Sequence, residues 1–179
     1  MNYKVDQIIT NEDRHSLIDL YNSMPSNFGH TDYNLYNIDK RILRRLNDLD
    51  ERYKNVIKKI EKYAGYKTYS HYFVMYNEGS YTRMHTDNDD HVRSTIVTLV
   101  DAVDLIGGET IVTLPAPELE YEKKGYVKGK EHKGRVVPKI VRMNVGESVM
   151  YDKSLLHGVT QIEKGKRLVL VSWFKDERL

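Results

Sequence analysis

The chain has 179 residues, with 28 Lys and Arg against 26 Asp and Glu, seven His and no Cys. A formal net charge of +2 is too small to argue for a nucleic-acid partner by itself, and the missing cysteines exclude disulfides, thiolate metal sites and cysteine nucleophiles together. No apolar run approaches a bilayer-spanning length of about 18 residues, and Met1-Asn2-Tyr3-Lys4-Val5-Asp6 lacks the basic-then-apolar layout of a signal peptide, so the expectation is one cytoplasmic domain of residues 1–179 with no membrane contact.

In chain order, Thr10 and Asp13 are spaced as an N-cap and its reciprocal partner. They predict a helix from about Asn11 to Met24 with Leu17, Ile18 and Tyr21 on one face. Residues 25–37 are rich in Asn, Gly and Ser and read as loop. The recurrence of Ile42, Leu46, Leu49, Tyr53, Val56, Ile60 and Tyr63 predicts a helix of about seven turns, with Gly65 placed as its C′ residue.

From Tyr66 the texture changes. Tyr66–Tyr76, Ser94–Val100, Thr110–Leu114, Val136–Met143, Glu147–Tyr151 and Arg167–Phe174 carry the β-branched and aromatic residues of strands, punctuated by glycine. Between them, Pro115–Lys139 is long, basic and glycine-bearing; it reads as a solvated insertion or as a flap over a substrate. The expected fold is mainly β: residues 1–65 are helical support, and residues 66–179 are a sandwich or jelly roll interrupted by residues 115–139. The 14 tyrosines suit half-buried strand positions or the lining of a polar cavity.

His85-Thr86-Asp87 is the first chemical signal. Residues two apart on a strand leave the same face, so one rigid element delivers an imidazole and a carboxylate together. His157, in the glycine-marked turn Leu155-Leu156-His157-Gly158-Val159, completes the two-His, one-carboxylate set that holds non-haem Fe(II) with open positions. Alone, His85 and Asp87 could be a surface pair. His91 is a rival third ligand in an acidic run, whereas His15, His30, His71 and His132 have no partner at ligand spacing. Arg167 adds a planar cation able to grip a carboxylate; Lys164 and Lys166 compete, but Lys166 must face away from Arg167 on a strand.

Over residues 76–174 the ordered motifs resemble the 2-oxoglutarate- and Fe(II)-dependent dioxygenases, prolyl 4-hydroxylase-like branch. The motifs are Tyr76-Asn77-Glu78-Gly79 and Tyr81 before His85-Thr86-Asp87, then Arg93 and Thr95 before an apolar strand ending at Asp101. Gly107-Gly108-Glu109-Thr110, Val145-Gly146-Glu147-Ser148, His157-Gly158-Val159, Gly165-Lys166-Arg167 and Trp173-Phe174 follow. The resemblance implies a double-stranded β-helix, cupin-like, with Fe(II) on His85, Asp87 and His157. It also implies 2-oxoglutarate paired with Arg167 and assisted by the Tyr76 hydroxyl, O₂ as second co-substrate, and ascorbate as a reductant. Tyr81 and Arg93 are its candidate substrate contacts. Several relatives carry a second co-substrate tyrosine where Thr98 and Leu99 stand here, and collagen-type relatives have Lys in place of Arg167. Asp87 disfavours halogenation, which needs a small residue at that position.

The leading expectation is hydroxylation of a peptidyl proline with release of succinate and CO₂. A free amino acid or other small molecule is the alternative within the same chemistry. Nucleic-acid demethylation is disfavoured because relatives of the AlkB type place a second Arg six residues after the first, where Trp173 stands. A non-catalytic β-barrel binding module is the alternative of a different class.

Overall fold

The computed structural model describes residues 3–43, 51–87, 92–115 and 136–179. Two helices and ten strands occur among them: β1 Tyr3–Gln7, α1 Asn11–Ser23, β2 Phe28–His30, β3 Leu35–Leu43, α2 Glu51–Ala64, β4 Tyr66–His85, β5 Ser94–Gly107, β6 Thr110–Pro115, β7 Val136–Val141, β8 Glu147–Asp152, β9 His157–Val159 and β10 Ile162–Arg178. The insertion expected at residues 115–139 lies mostly outside the described residues, as do His91 and His132.

The strands form one antiparallel sheet in the order β1-β8-β5-β10-β4-β9-β6-β7, with β3 on β4 and β2 on β3. Its curl comes from the long β4. Residues 71–76 run between β3 and β10, while Thr82 and His85 pair with Val159 and His157 of β9. One chain segment thus carries the sheet around a central cavity lined from β3, β4, β5, β6, β8, β9 and β10. This is the predicted jelly roll backed by helices.

Alternation along β10 shows how the layers separate. Leu168, Leu170 and Phe174 join Leu17, Val56 and Ile60 of the helices in one buried cluster. Arg167, Val169 and Val171 face the cavity. Fully burying a Leu, Ile or Phe side chain contributes about 1.5–3 kcal/mol, so this first cluster is what holds the helices on the sheet. Lys59 of α2 also ion-pairs with Asp13 of α1 at 2.7 Å.

The local signals at both helix ends hold. Thr10 Oγ1 accepts from the Asp13 amide at 3.2 Å, and Asp13 Oδ2 accepts from the Thr10 amide at 2.8 Å, forming a full capping box. Gly65 takes φ +74, the left-handed conformation a C′ residue needs. All six strands expected after Tyr66 are present, several of them longer than their apolar cores.

The segment before Tyr66 departs from the expectation of pure helical support. Residues 25–37 hold β2 and the start of β3, and Ile42 lies in β3 opposite Tyr72, not in a helix. The described helix starts at Glu51 and runs 14 residues, about four turns. Ile42 fits the spacing by coincidence, since it is 46% exposed and belongs to no helical stripe. What holds β3 is tertiary. Its Asp39 accepts from Tyr21 of α1 at 2.9 Å, and Arg41 pairs with Asp39 at 2.7 Å and caps the Met24 carbonyl at 2.7 Å. No described helix is long and apolar enough to cross a membrane.

Candidate active site

His85 and His157 are cross-strand partners in the β4–β9 pairing, which brings their rings to 4.4 Å. Asp87 lies two residues beyond the end of β4, not on the strand expected to carry both side chains, and still turns into the same site. Its Oδ1 is 3.6 Å from His157 Nε2 and 4.0 Å from His85 Nε2. One ligand atom from each of the three residues lies within 4.8 Å of the others.

The neighbours of these side chains fix which atoms are free. His85 Nδ1 lies 2.7 Å from the Arg83 carbonyl and His157 Nδ1 2.9 Å from the Leu155 carbonyl. A carbonyl only accepts, so each Nδ1 donates to it, and each Nε2 is the ring nitrogen that faces Asp87 Oδ1. Thr95 donates to the other oxygen of Asp87. Burial would raise the Asp87 pKa, but hydrogen bonding from His157 and Thr95 outweighs it and holds the carboxyl below its ordinary range. Burial, reinforced by the charge of His157, lowers the His85 pKa and keeps that ring neutral.

Two imidazoles and one carboxylate therefore converge, which is the donor set that suits a non-haem metal with open positions. Metal–ligand bonds of about 2.1 Å at right angles need ligand atoms about 3 Å apart, a contraction within reach of side-chain rotation. The residues fit Fe(II).

Arg167 is 2% exposed on the cavity side of β10, while Lys166 faces out. Its Nη1 donates to the Gly108 carbonyl and its Nη2 to Thr110 Oγ1, both at 2.7 Å. Gly107 and Gly108 take φ +76 and +70, and a Cβ on Gly107 would stand 2.3 Å from the Gln161 carbonyl oxygen. The close turn that presents the Gly108 carbonyl to Arg167 thus requires glycine. Among the described residues no carboxylate lies within ion-pairing distance of this guanidinium. Burial lowers its pKa, but a guanidinium stays charged.

Tyr76 stands opposite Arg167 across β4 and β10, its ring 5.7 Å from the guanidinium carbon and its hydroxyl 2.7 Å from Thr82 Oγ1. The cavity has a volume of about 220 Å³ and contains the three metal-ligand candidates together with Arg167 and Tyr76.

The two substrate candidates lie elsewhere. Tyr81 stacks on Tyr36 at 4.9 Å, and Arg93 is exposed, paired with Asp176 and set over the Tyr66 ring. Neither lines the cavity. Sequence reasoning missed several side chains that do. Thr95 and Thr110 hold Asp87 and Arg167, and Tyr151 packs on His157 with ring centres 4.5 Å apart. Thr98 turns to Ser148 at 2.8 Å, and Tyr151 of β8 contributes to the aromatic wall of the cavity. Only the high tyrosine count hinted at this wall.

No protein-family model matches the sequence, and no curated protein is similar to it. Solved structures are similar over nearly the whole chain. A prolyl-4-hydroxylase of Pseudomonas putida aligns with a TM-score of 0.70 at 14% identity, covering 97% of this chain and 92% of that one. The viral collagen prolyl hydroxylase of Paramecium bursaria chlorella virus-1, solved with 2-oxoglutarate, gives 0.61 at 15%, covering 97% and 95%. The epimerase SnoN, solved with Fe³⁺, α-ketoglutarate and nogalamycin RO, gives 0.72 at 11%, covering 99% and 82%. This chain thus has the curled, helix-backed jelly-roll fold of prolyl-4-hydroxylase and other 2-oxoglutarate–Fe(II) oxygenase structures.

Proposed function

We propose that the protein is an Fe(II)- and 2-oxoglutarate-dependent dioxygenase that hydroxylates a C–H bond of a peptidyl proline. The observation that carries the oxygenase reading is Arg167. A buried guanidinium with no carboxylate at ion-pairing distance among the described residues, beside a two-His, one-carboxylate set in one cavity, is suited to an entering anion.

His85, Asp87 and His157 would hold Fe(II), which with 2-oxoglutarate and O₂ supplies oxidative decarboxylation to succinate and CO₂ and the transfer of one oxygen atom to the substrate. The protein's own residues do the positioning. Arg167 receives the far carboxylate of 2-oxoglutarate while Gly108 and Thr110 fix the fork, and Tyr76 stands beside it with its phenol kept protonated by burial. Thr95 and the two backbone carbonyls fix the donors of the metal site. Val74, Val97, Val169 and Val171 line the cavity with apolar surface. The prolyl choice is supported by the resemblance over residues 76–174 and by the two prolyl hydroxylases among the similar structures.

The test is succinate formation from 2-oxoglutarate with added Fe(II), and a 2-oxoglutarate-dependent gain of one oxygen mass on prolyl peptides. Arg167→Ala should weaken 2-oxoglutarate binding by about 100-fold or more, the worth of two charge-assisted hydrogen bonds. His157→Ala should abolish turnover. A His157→Ala protein as active as its parent would remove the iron assignment, and unchanged 2-oxoglutarate affinity in Arg167→Ala would remove the co-substrate assignment.

A further inference from the structure

The cavity has a second cation that the co-substrate reading does not use. Lys40 reaches it from β3, two residues past Ile38 and in register with Val74 on β4. Its ammonium lies 4.6 Å from the centre of the Tyr72 ring, and among the described residues no carboxylate comes within ion-pairing distance of it. The acid that faces it is Asp32, also on the cavity wall. Asp32 Oδ1 already accepts from the amides of Asn34 at 2.8 Å and Leu35 at 2.7 Å, and its Oδ2 faces His30 Nε2 at 3.4 Å. Burial lowers the Lys40 pKa, and the charge of Asp32 only partly offsets this.

A second orphan lies beside it. Trp173 lines the same cavity, its indole meeting Tyr72 edge-on at 5.5 Å between ring centres, and its Nε1 is buried with no acceptor among the described residues. Indole N–H and ammonium are donors only, so two neighbours of Tyr72 ask for acceptor oxygens. This region is separate from the Arg167 end. Along β10 the inward positions run Arg167, Val169, Val171, Trp173, a separation of about 20 Å at 3.3 Å per residue. It is also on the metal side, since Trp173 pairs in register with Thr95, which holds Asp87.

We propose that Lys40, beside the Tyr72 and Trp173 rings, forms an anion-accepting subsite for the organic substrate, so that the substrate presents a carboxylate next to Tyr72 and apart from Arg167. Lys40 is in register through Val74 with Val169, but its ammonium sits by Tyr72, four residues along β4 from the Tyr76 that faces Arg167, so the two cations serve different carboxylates. This rests on the oxygenase reading of the cavity. The same chemistry has two sources, a free amino acid or the free C-terminus of a peptide.

The test uses protein loaded with Mn(II) in place of iron, with and without 2-oxoglutarate. The probes are the free L-amino acids, short peptides ending in each of them, and the C-terminal amides of both sets, with binding read by ligand-observed NMR. At least one carboxylate probe should bind about tenfold more tightly than its amide. Lys40→Met should erase that preference, Lys40→Arg should keep it, and 2-oxoglutarate affinity should stay within about twofold in both. The set in which the preference appears, amino acids or peptides, identifies the source.

Equal binding of acids and amides throughout would overturn the proposal, as would a preference that survives Lys40→Met. A parallel loss of 2-oxoglutarate binding in Lys40→Met would also overturn it, assigning Lys40 to the co-substrate. If wild-type protein fails to bind 2-oxoglutarate, the oxygenase reading falls, while the acid–amide comparison without 2-oxoglutarate still decides the role of Lys40.

Discussion

His71 makes the acid stability of this protein calculable. It is 2% exposed on the helix side of β4, with Nδ1 2.9 Å from Ser172 Oγ and its ring 6.4 Å from Tyr53 of α2. Its Nε2 is buried without a partner among the described residues, so the site accepts only the neutral ring. Burial pushes its pKa from the ordinary 6.5 down to about 3. Below 6.5 the unfolded chain takes up a proton that the folded chain refuses, so unfolding gains free energy as the pH falls. The stability held in the neutral ring is complete above 6.5 and lost progressively toward 3. Each pH unit in that window is worth about 1.4 kcal/mol, which makes about 2 kcal/mol by pH 5 and about 5 kcal/mol at the acid limit. Urea unfolding of the parent and of His71→Phe, at pH 7 and at pH 5, measures it. The parent should lose about 2 kcal/mol more than the variant over this interval. The carboxylates titrate in both proteins and cancel, and the unpartnered Ser172 hydroxyl in the variant is a pH-independent cost. Equal losses in the two proteins would refute the reasoning.

Two further outcomes test how the site is held. Thr95→Val removes the hydroxyl that donates to Asp87, and should lower Mn(II) affinity by about 10- to 100-fold in calorimetry while thermal unfolding barely moves; undiminished affinity would show that Thr95 does not orient the carboxylate. Gly107→Ala places a methyl 2.3 Å from a backbone oxygen at φ +76, and should cost at least about 2 kcal/mol, seen as a melting temperature lower by about 5 °C or more. An unchanged melting temperature would show that the turn below Arg167 relaxes freely.

The similar structures place weight on fold, and the site places weight on chemistry. At 11–15% identity the fold is shared while side chains are largely free to differ. The Arg167 end of the cavity is built with Thr110 and the Gly108 carbonyl, and Tyr151 adds an aromatic wall from β8. Lys40, by contrast, comes from the N-terminal part of the chain, where the sequence resemblance fades. Substrate choice is expected to reside there.

What the sequence determined by itself was whatever depends on short-range geometry. The opposed faces of Lys166 and Arg167, the Thr10–Asp13 capping box and the Gly65 cap follow from short-range backbone geometry, and they held, whereas Asp87 lies beyond the end of β4 and meets His85 without a shared strand. The ordered glycine turns carried the fold for the same reason, since each marks a conformation that other residues avoid. Tertiary structure decided the rest. Ile42 had a helical spacing but became strand, because Asp39 and Arg41 tie β3 to α1 and pairing with β4 outweighs a weak local preference. His157 meets His85 and Asp87 because β9 pairs with β4 in the register that puts it opposite His85. Thr95, Tyr151, Lys40 and Trp173 entered the cavity only through the curl of the sheet. Strand register and curl are summed over many distant contacts, so no local pattern in the chain announces them.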